Sequence, residues 1–192
     1  KVGASRYAQH PSTEVLMLAY ARSGGEIKQW VPEEGELLPS EVEDAMLDDR
    51  IKKFAWNKPF EWNIWKHVVG IDTAHKDWRD PMVLAYSCSL PGKLAKAGPI
   101  ANVPEHMLKQ NGTRLINWFS KKRPATKTQL PRRVFWYEKW DLWQEYKDYN
   151  IHDVMAERKI WLNLSPYDLP EHEWELYALD QEINTRGLPI NM

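Results

Sequence analysis

The first chemical question comes from one helical face. Between Trp136 and Ser165 the chain carries neither Pro nor Gly, and the run reads as one helix. Along it Leu142, Tyr146, Tyr149, Asp153, Ala156, Ile160 and Leu164 recur at intervals of three or four, which aligns them as one stripe facing a core. Asp153 is the one carboxylate in that stripe. An uncompensated charge there costs on the order of several kcal/mol, so it requires a partner. A metal cation is one; an Arg or Lys from a neighbouring element is the other, and spacing alone leaves both open. Tyr149 lies one turn before Asp153 on the same face.

A second candidate is electrostatic. From Lys121 to Tyr137 there are six Lys or Arg and no acid, beginning with Lys121, Lys122 and Arg123 and ending on Trp136 and Tyr137. Cations with aromatics behind them suit a phosphate-bearing chain, although most such runs are solvated loops. Other chemistry is thin. His10, His67, His75, His106, His152 and His172 form no helical pair at metal-ligand spacing, and His152 points to a different helix face from Asp153. Cys88 has no visible catalytic partner and reads as a buried thiol. Asp80 before Pro81 reads as a helix N-cap first. There is no Gly-rich phosphate loop and no Ser nucleophile elbow.

The totals bound the classes available. At 192 residues, with 43% hydrophobic and 28% charged, the chain suits one soluble domain with a real core, with room for an appended helix. The net charge of −1 gives no global field, so any nucleic-acid site must be a local patch. The single Cys excludes a disulfide framework and a thiolate metal site within the chain. No signal peptide and no apolar run of membrane-spanning length are seen. Eleven Trp read mainly as core. The chain opens at Lys1 in mid-pattern, as a portion of a longer protein would.

The positioning elements follow in order. Glu14 to Ala21 reads as a strand buried on both faces. With the Ser23–Gly24–Gly25 turn and Glu26 to Val31 it makes an antiparallel hairpin. Pro32 to Pro39 is an acidic loop. Ser40 caps a short helix to Asp48, with Glu43 placed for a capping box, and its acids read as a solvated face. Ile51 to Trp56 is a second strand, and helices follow over Pro59–Val69, from Pro81, and around Lys93–Ala97. Glu105–Phe119 reads as a helix interrupted near Asn111–Gly112. After the long helix, a last one runs from Glu171 to Arg186 and ends at Gly187. Hairpin, helix, strand, helix is an α/β or α+β pattern around a mixed sheet.

Two signatures combine on this outline: Asn57-x-x-Phe60-Glu61 where a strand gives way to a helix, and Tyr149-x-x-x-Asp153 on the long helix. Together they resemble the second and third motifs of proofreading 3′–5′ exonucleases of the DEDD superfamily, tyrosine subgroup. The likeness is closer to the exonuclease domain of phage-type family A DNA polymerases. The stretches GASRYAQHPSTEVLMLAYA, DPMVLAYSCSLPGKLAKAG, LINWFSKKRPATK and EWELYALDQEINTRGLPINM look like that group, in the right order.

The resemblance implies a ribonuclease H-like fold over residues 1–168, with 169–192 a helix leading into a polymerase body in cis. It implies two Mg²⁺ or Mn²⁺ ions, the arrangement that suits phosphodiester hydrolysis, acting on the 3′ end of single-stranded DNA. Asp153 and Glu61 would be metal ligands, and Tyr149 would hold the attacking water. Glu61 stands where the family commonly has Asp. Asn57 and Phe60 would support the strand end or the substrate, and Lys121, Lys122 and Arg123 would contact phosphates. The implied location is the cytoplasm, of a bacterial host if the gene is of phage origin.

The family's first motif, Asp-x-Glu on a central strand, does not occur before Glu14. The expectation is therefore a sheet lacking that strand, weak Mg²⁺ binding and poor trimming by this chain alone. The rival readings are a catalytically inactive, DNA-guiding module of a polymerase and a DNA-free interaction domain that uses surface Trp residues.

Overall fold

The computed structural model describes residues 3–108, 112–125 and 132–187. In chain order its elements are α1 (Ala4–Ala8), β1 (Leu18–Tyr20), β2 (Lys28–Trp30), α2 (Ser40–Leu47), β3 (Lys53–Phe54) and α3 (Lys58–Ile64), which continues with π-helical geometry over Trp65–Val69. Then come β4 (Trp78–Arg79), α4 (Pro81–Ser87), α5 (Leu94–Ile100), α6 (Gly112–Phe119), α7 (Trp140–Leu164) and α8 (Glu171–Arg186), with 3-10 turns between several of them. The class is α/β, as expected.

The strands are shorter than their apolar runs suggest, and among the described residues they form two separate ladders instead of one mixed sheet. The expected hairpin is present: β1 pairs antiparallel with β2, with Ala19 opposite Gln29. Only Leu18–Tyr20 of the expected Glu14–Ala21 strand joins the ladder, because its partner is cut off by Gly24–Gly25 on one side and by Pro32, which has no N–H, on the other. The expected Ile51–Trp56 strand contributes Lys53–Phe54, and these pair in parallel with Trp78–Arg79. Two residues before a proline carry too little apolar pattern for β4 to be read in advance.

Helix boundaries follow local chemistry. Ser40 does not cap α2; Pro39, extended at ψ 131°, takes that position, and no side chain caps the helix. Glu41 is more than a solvated acid, since it accepts from Lys28 Nζ at 2.7 Å and from the Tyr20 hydroxyl at 2.9 Å, tying the hairpin to α2. The acidic loop clamps in the same way. Glu33 pairs with both terminal nitrogens of Arg133, and Glu34 takes the Trp143 indole N–H and Lys147. The long helix begins at Trp140, after a 3-10 turn over Trp136–Glu138. Asn111 lies outside the described residues, and α6 starts at Gly112.

The helix α7 is the spine. Its first half buries Trp143 with Val31, Phe119 and Val134. Its second half buries Ala156, Ile160 and Leu164 with Leu84, Ala85, Ala97 and Trp174. A third apolar cluster, of Val42, Met46, Trp62, Trp65 and Trp78, lies under α2 and α3. The helix α8 is packed onto this body through buried Trp174 and Ala178 and through Glu171, whose carboxylate meets Arg79 at 2.7 Å.

Asp80 joins three helices through four donors. It is wholly buried and accepts from the backbone N–H of Asn57 and Lys58 at 3.0 Å each, from that of Met82 at 2.9 Å, and from the Tyr177 hydroxyl at 3.2 Å. The cap reading is thus correct, and the same carboxylate also ties α3 and α8 to α4. Leaving buried donors without an acceptor costs about 1–3 kcal/mol each. Asp80→Ala should therefore lower unfolding stability by about 3 kcal/mol or more. Urea denaturation checks this, and a loss below about 1 kcal/mol would mean that water replaces the carboxylate.

Candidate active site

The site is built where β3 runs into α3. Asn57 has φ 64° and ψ 48°, a left-handed conformation that Asn tolerates better than most residues. That turn redirects the chain so that Lys58, one residue on, begins α3 with its N–H on Asp80. One helical turn later Glu61 points inward. Its Oε2 is buried and has no hydrogen-bond partner among the described residues. Burial pushes its carboxyl up to about 8, and the charges of Glu157 and Asp80 add to that shift.

Glu157 comes from α7, one turn beyond Asp153. Burial also pushes its carboxyl up to about 8, against the opposing effect of the Trp56 backbone N–H that donates to it. The charges of Asp80 and Asp153 reinforce the shift. Asp153 receives a hydrogen bond from the Tyr149 hydroxyl, whose own ionisation is pushed up, first by burial and then by the Asp153 charge. Glu61, Glu157 and Asp153 therefore form a chain of acids between α3 and α7, each within electrostatic reach of the next.

Space for Tyr149 is made by Gly112. A Cβ built there would overlap the Tyr149 ring, so the start of α6 has to be side-chain-free. Tyr149 stacks on Tyr146 at 6.3 Å between centroids, and Tyr146 stacks on Phe119 at 5.7 Å. The Tyr146 hydroxyl lies 3.0 Å from that of Ser120, which brings the basic turn that starts at Lys121 close to the same mouth.

The structure brings Tyr149 and Asp153 together, and it connects Glu61 to them through Glu157. Asn57 shapes the turn with its backbone, and its side chain is exposed. Phe60 is 37% exposed, with its ring 5.6 Å from that of Tyr7 on α1. Lys121 and Lys122 are exposed, whereas Arg123 lies 3.5 Å over the Trp118 ring. Arg132 and Arg133 are engaged with Glu138 and with Glu14 and Glu33, so the basic run is less positive than its sequence suggests. His75 is stacked on Trp62 at 4.1 Å, and burial pulls its imidazole down to about 4. Its role is packing.

Glu157 was missed by sequence reasoning. Its signal was there: Tyr149, Asp153 and Glu157 are spaced four apart, but Ala156 fitted the apolar stripe better. For a hard cation the donor chemistry fits, since the acids are carboxylates and Glu61 Oε2 is a buried acceptor with no donor. The donor set is incomplete, because no group of three acidic, His or Cys side chains among the described residues is arranged to hold a cation.

Over its whole length the chain is similar to a DNA polymerase of Bacillus phage SP02. The identity is 32% over 193 residues, and the chain spans 30% of that polymerase. No protein-family model matches, and no solved structure does. Among the described residues no helix is long and apolar enough to cross a membrane.

The paired acids give the stability a pH dependence. With folded values near 8 against an ordinary 4.5, both carboxyls favour folding when protonated. That contribution is complete below about 4.5 and is lost as pH rises towards 8. His75, held neutral, acts in the opposite sense only below its ordinary value of 6.5. Without divalent cations, the melting temperature should therefore fall between pH 6.5 and 8, and Glu157→Gln should flatten that fall. A wild-type profile already flat over this range would mean that solvent reaches both carboxyls.

Proposed function

We propose that the chain is the 3′–5′ exonuclease region of a phage-type DNA polymerase, hydrolysing the 3′-terminal nucleotide of single-stranded DNA. The observation that carries the reading is the clustering of Glu61, Glu157, Asp153 and Tyr149, from two distant parts of a chain similar to a phage polymerase throughout. The parallel β3–β4 pair, with α3 leading from β3 to the acids, supports the ribonuclease H-like expectation.

In this reading Asp153 and Glu61 hold divalent cations, Mg²⁺ or Mn²⁺. Bound there, such ions would supply charge neutralisation at the scissile phosphate and a more acidic water. The protein's own residues do the positioning. Tyr149, kept protonated by burial and by Asp153, presents a hydroxyl rather than a phenolate to an attacking water. Asn57 turns the strand end so that α3 presents Glu61. Phe60 offers a partly open ring to the substrate, and Lys121, Lys122 and Arg123 flank the mouth as phosphate contacts. Residues 169–192 would lead into the polymerase body in cis, with α8 as the docked part of that segment.

One observation favours the second reading, an exonuclease-like module that guides DNA without cutting it: the described acids do not form a three-ligand set. Both readings are separated by 3′-end trimming of a labelled single-stranded oligonucleotide with Mg²⁺, using the full-length polypeptide that carries this sequence. Asp153→Asn should abolish trimming and leave nucleotide incorporation intact. Tyr149→Phe should slow trimming by about 10–100-fold, the range for groups that orient a metal site. Trimming unchanged in Asp153→Asn would refute the assignment, and no EDTA-sensitive trimming by the unaltered protein would refute cutting and favour the guiding module. The 192-residue chain alone should trim slowly for want of donors.

A further inference from the structure

A second surface lies at the start of α7. Tyr137 is 64% exposed and Trp140 is 51% exposed, and the two rings share contact with Trp136, which makes them a patch and not scattered single residues. They are braced from behind. Phe135 lies parallel to Tyr137, at 3° and 5.6 Å between centroids. Trp136 meets Tyr137 and Trp140 edge-on at 5.6 and 5.7 Å, and it is itself packed against the cluster of Val31, Phe119, Val134 and Trp143. The outer rings are thus held in place before any ligand arrives.

Cations frame the rings. Lys139 and Arg123 share the Trp118 ring, at 5.9 and 3.5 Å, and Lys121 and Lys122 are exposed beside Arg123. The neighbouring acid Glu138 is neutralised by a two-pronged pair with Arg132, at 2.6 and 2.8 Å. What remains outward is exposed ring surface of Tyr137 and Trp140 with exposed Lys139 between them in sequence, and Asp141 is an exposed acid beside them.

We infer that Tyr137 and Trp140 form a stacking ledge for single-stranded DNA, with Lys139 on its phosphates and with Lys121, Lys122 and Arg123 continuing the same phosphate track towards the mouth beside Tyr146. Bases stack on such rings whatever their sequence, and each is worth about tenfold or more in affinity. Aliphatic side chains, which a protein partner would need for a core of contact, are sparse in this patch; the likeness to a DNA polymerase makes DNA the nucleic acid to commit to. The ledge is not the cutting site. Trp140 and Asp153 are separated by about 20 Å along α7 at 1.5 Å per residue. That is about six nucleotides at the stacked rise of about 3.4 Å. The ledge would hold the strand several nucleotides away from any terminus at the acids, and it stands whether or not those acids cut.

The test is fluorescence anisotropy of labelled (dT)12 with the 192-residue chain in EDTA, so that nuclease activity or its absence cannot affect the result. Trp140→Ala and Tyr137→Ala should each weaken binding about tenfold, while Trp140→Phe should stay within about threefold of wild type. A 12-mer of abasic sugar-phosphate should bind at least about tenfold more weakly than (dT)12, and (dT)4, long enough for both rings, should bind more weakly than (dT)12 yet lose affinity in the same two alanine variants. Circular dichroism melts establish that the variants are folded. The ledge is refuted if the abasic chain binds as well as (dT)12, if neither alanine variant weakens binding, or if Trp140→Phe loses as much as Trp140→Ala. A folded chain that does not bind (dT)12 at all refutes it too.

Discussion

The structure turns on one electrostatic constraint: carboxyl groups from α3 and α7 are buried near one another. Burial, reinforced by neighbouring carboxylates, pushes both Glu61 and Glu157 up to about 8: Glu157 and Asp80 act on Glu61, and Asp80 and Asp153 act on Glu157. Ordinary core packing would not assemble this, since each added charge raises the cost of the last. Clusters of perturbed acids of this kind are where catalytic and cation-binding sites are found. The buried Glu61 oxygen with no donor belongs to the same constraint.

The rest of the fold holds those acids in place. Asp80 fixes the starts of α3 and α4 against each other and draws in Tyr177. The buried Lys58 beside it lies over the Trp62 and Tyr177 rings, and burial lowers it to about 8 against the opposing charge of Asp80. Gly112 leaves room for the Tyr149 ring. The hairpin is bound to α7 by Gln29, which donates to the Lys147 carbonyl and to Asn150, and by Arg158, which reaches the Gly25 carbonyl. These polar ties cross long sequence separations, and each leaves a costly buried group if broken.

Much of the site was legible because helical periodicity is a strong signal. The stripe from Leu142 to Leu164 placed Asp153 among inward-facing residues, and the structure buries Ala156, Ile160 and Leu164 along it. The Asp80–Pro81 start and the Gly187 stop depend on local backbone chemistry, and both are present. Ser40 misled because a proline with extended backbone can occupy a cap position without a side-chain bond. The basic run misled in part because its charge is cancelled by acids far away in sequence, Glu14 and Glu33.

By itself the sequence determined what depends on neighbours along the chain: the α/β class, the long helix, the hairpin, the N-cap at Asp80 and the placing of Tyr149 one turn before Asp153. Only the tertiary structure decided what depends on distant partners. It paired β3 with the unread β4, cancelled Arg132 and Arg133, docked α8 through Trp174 and brought Glu157 between Glu61 and Asp153. Periodicity reports which way a side chain points relative to its own helix; it carries no information about which acid on another element will meet it there, and that meeting sets the charge of this site.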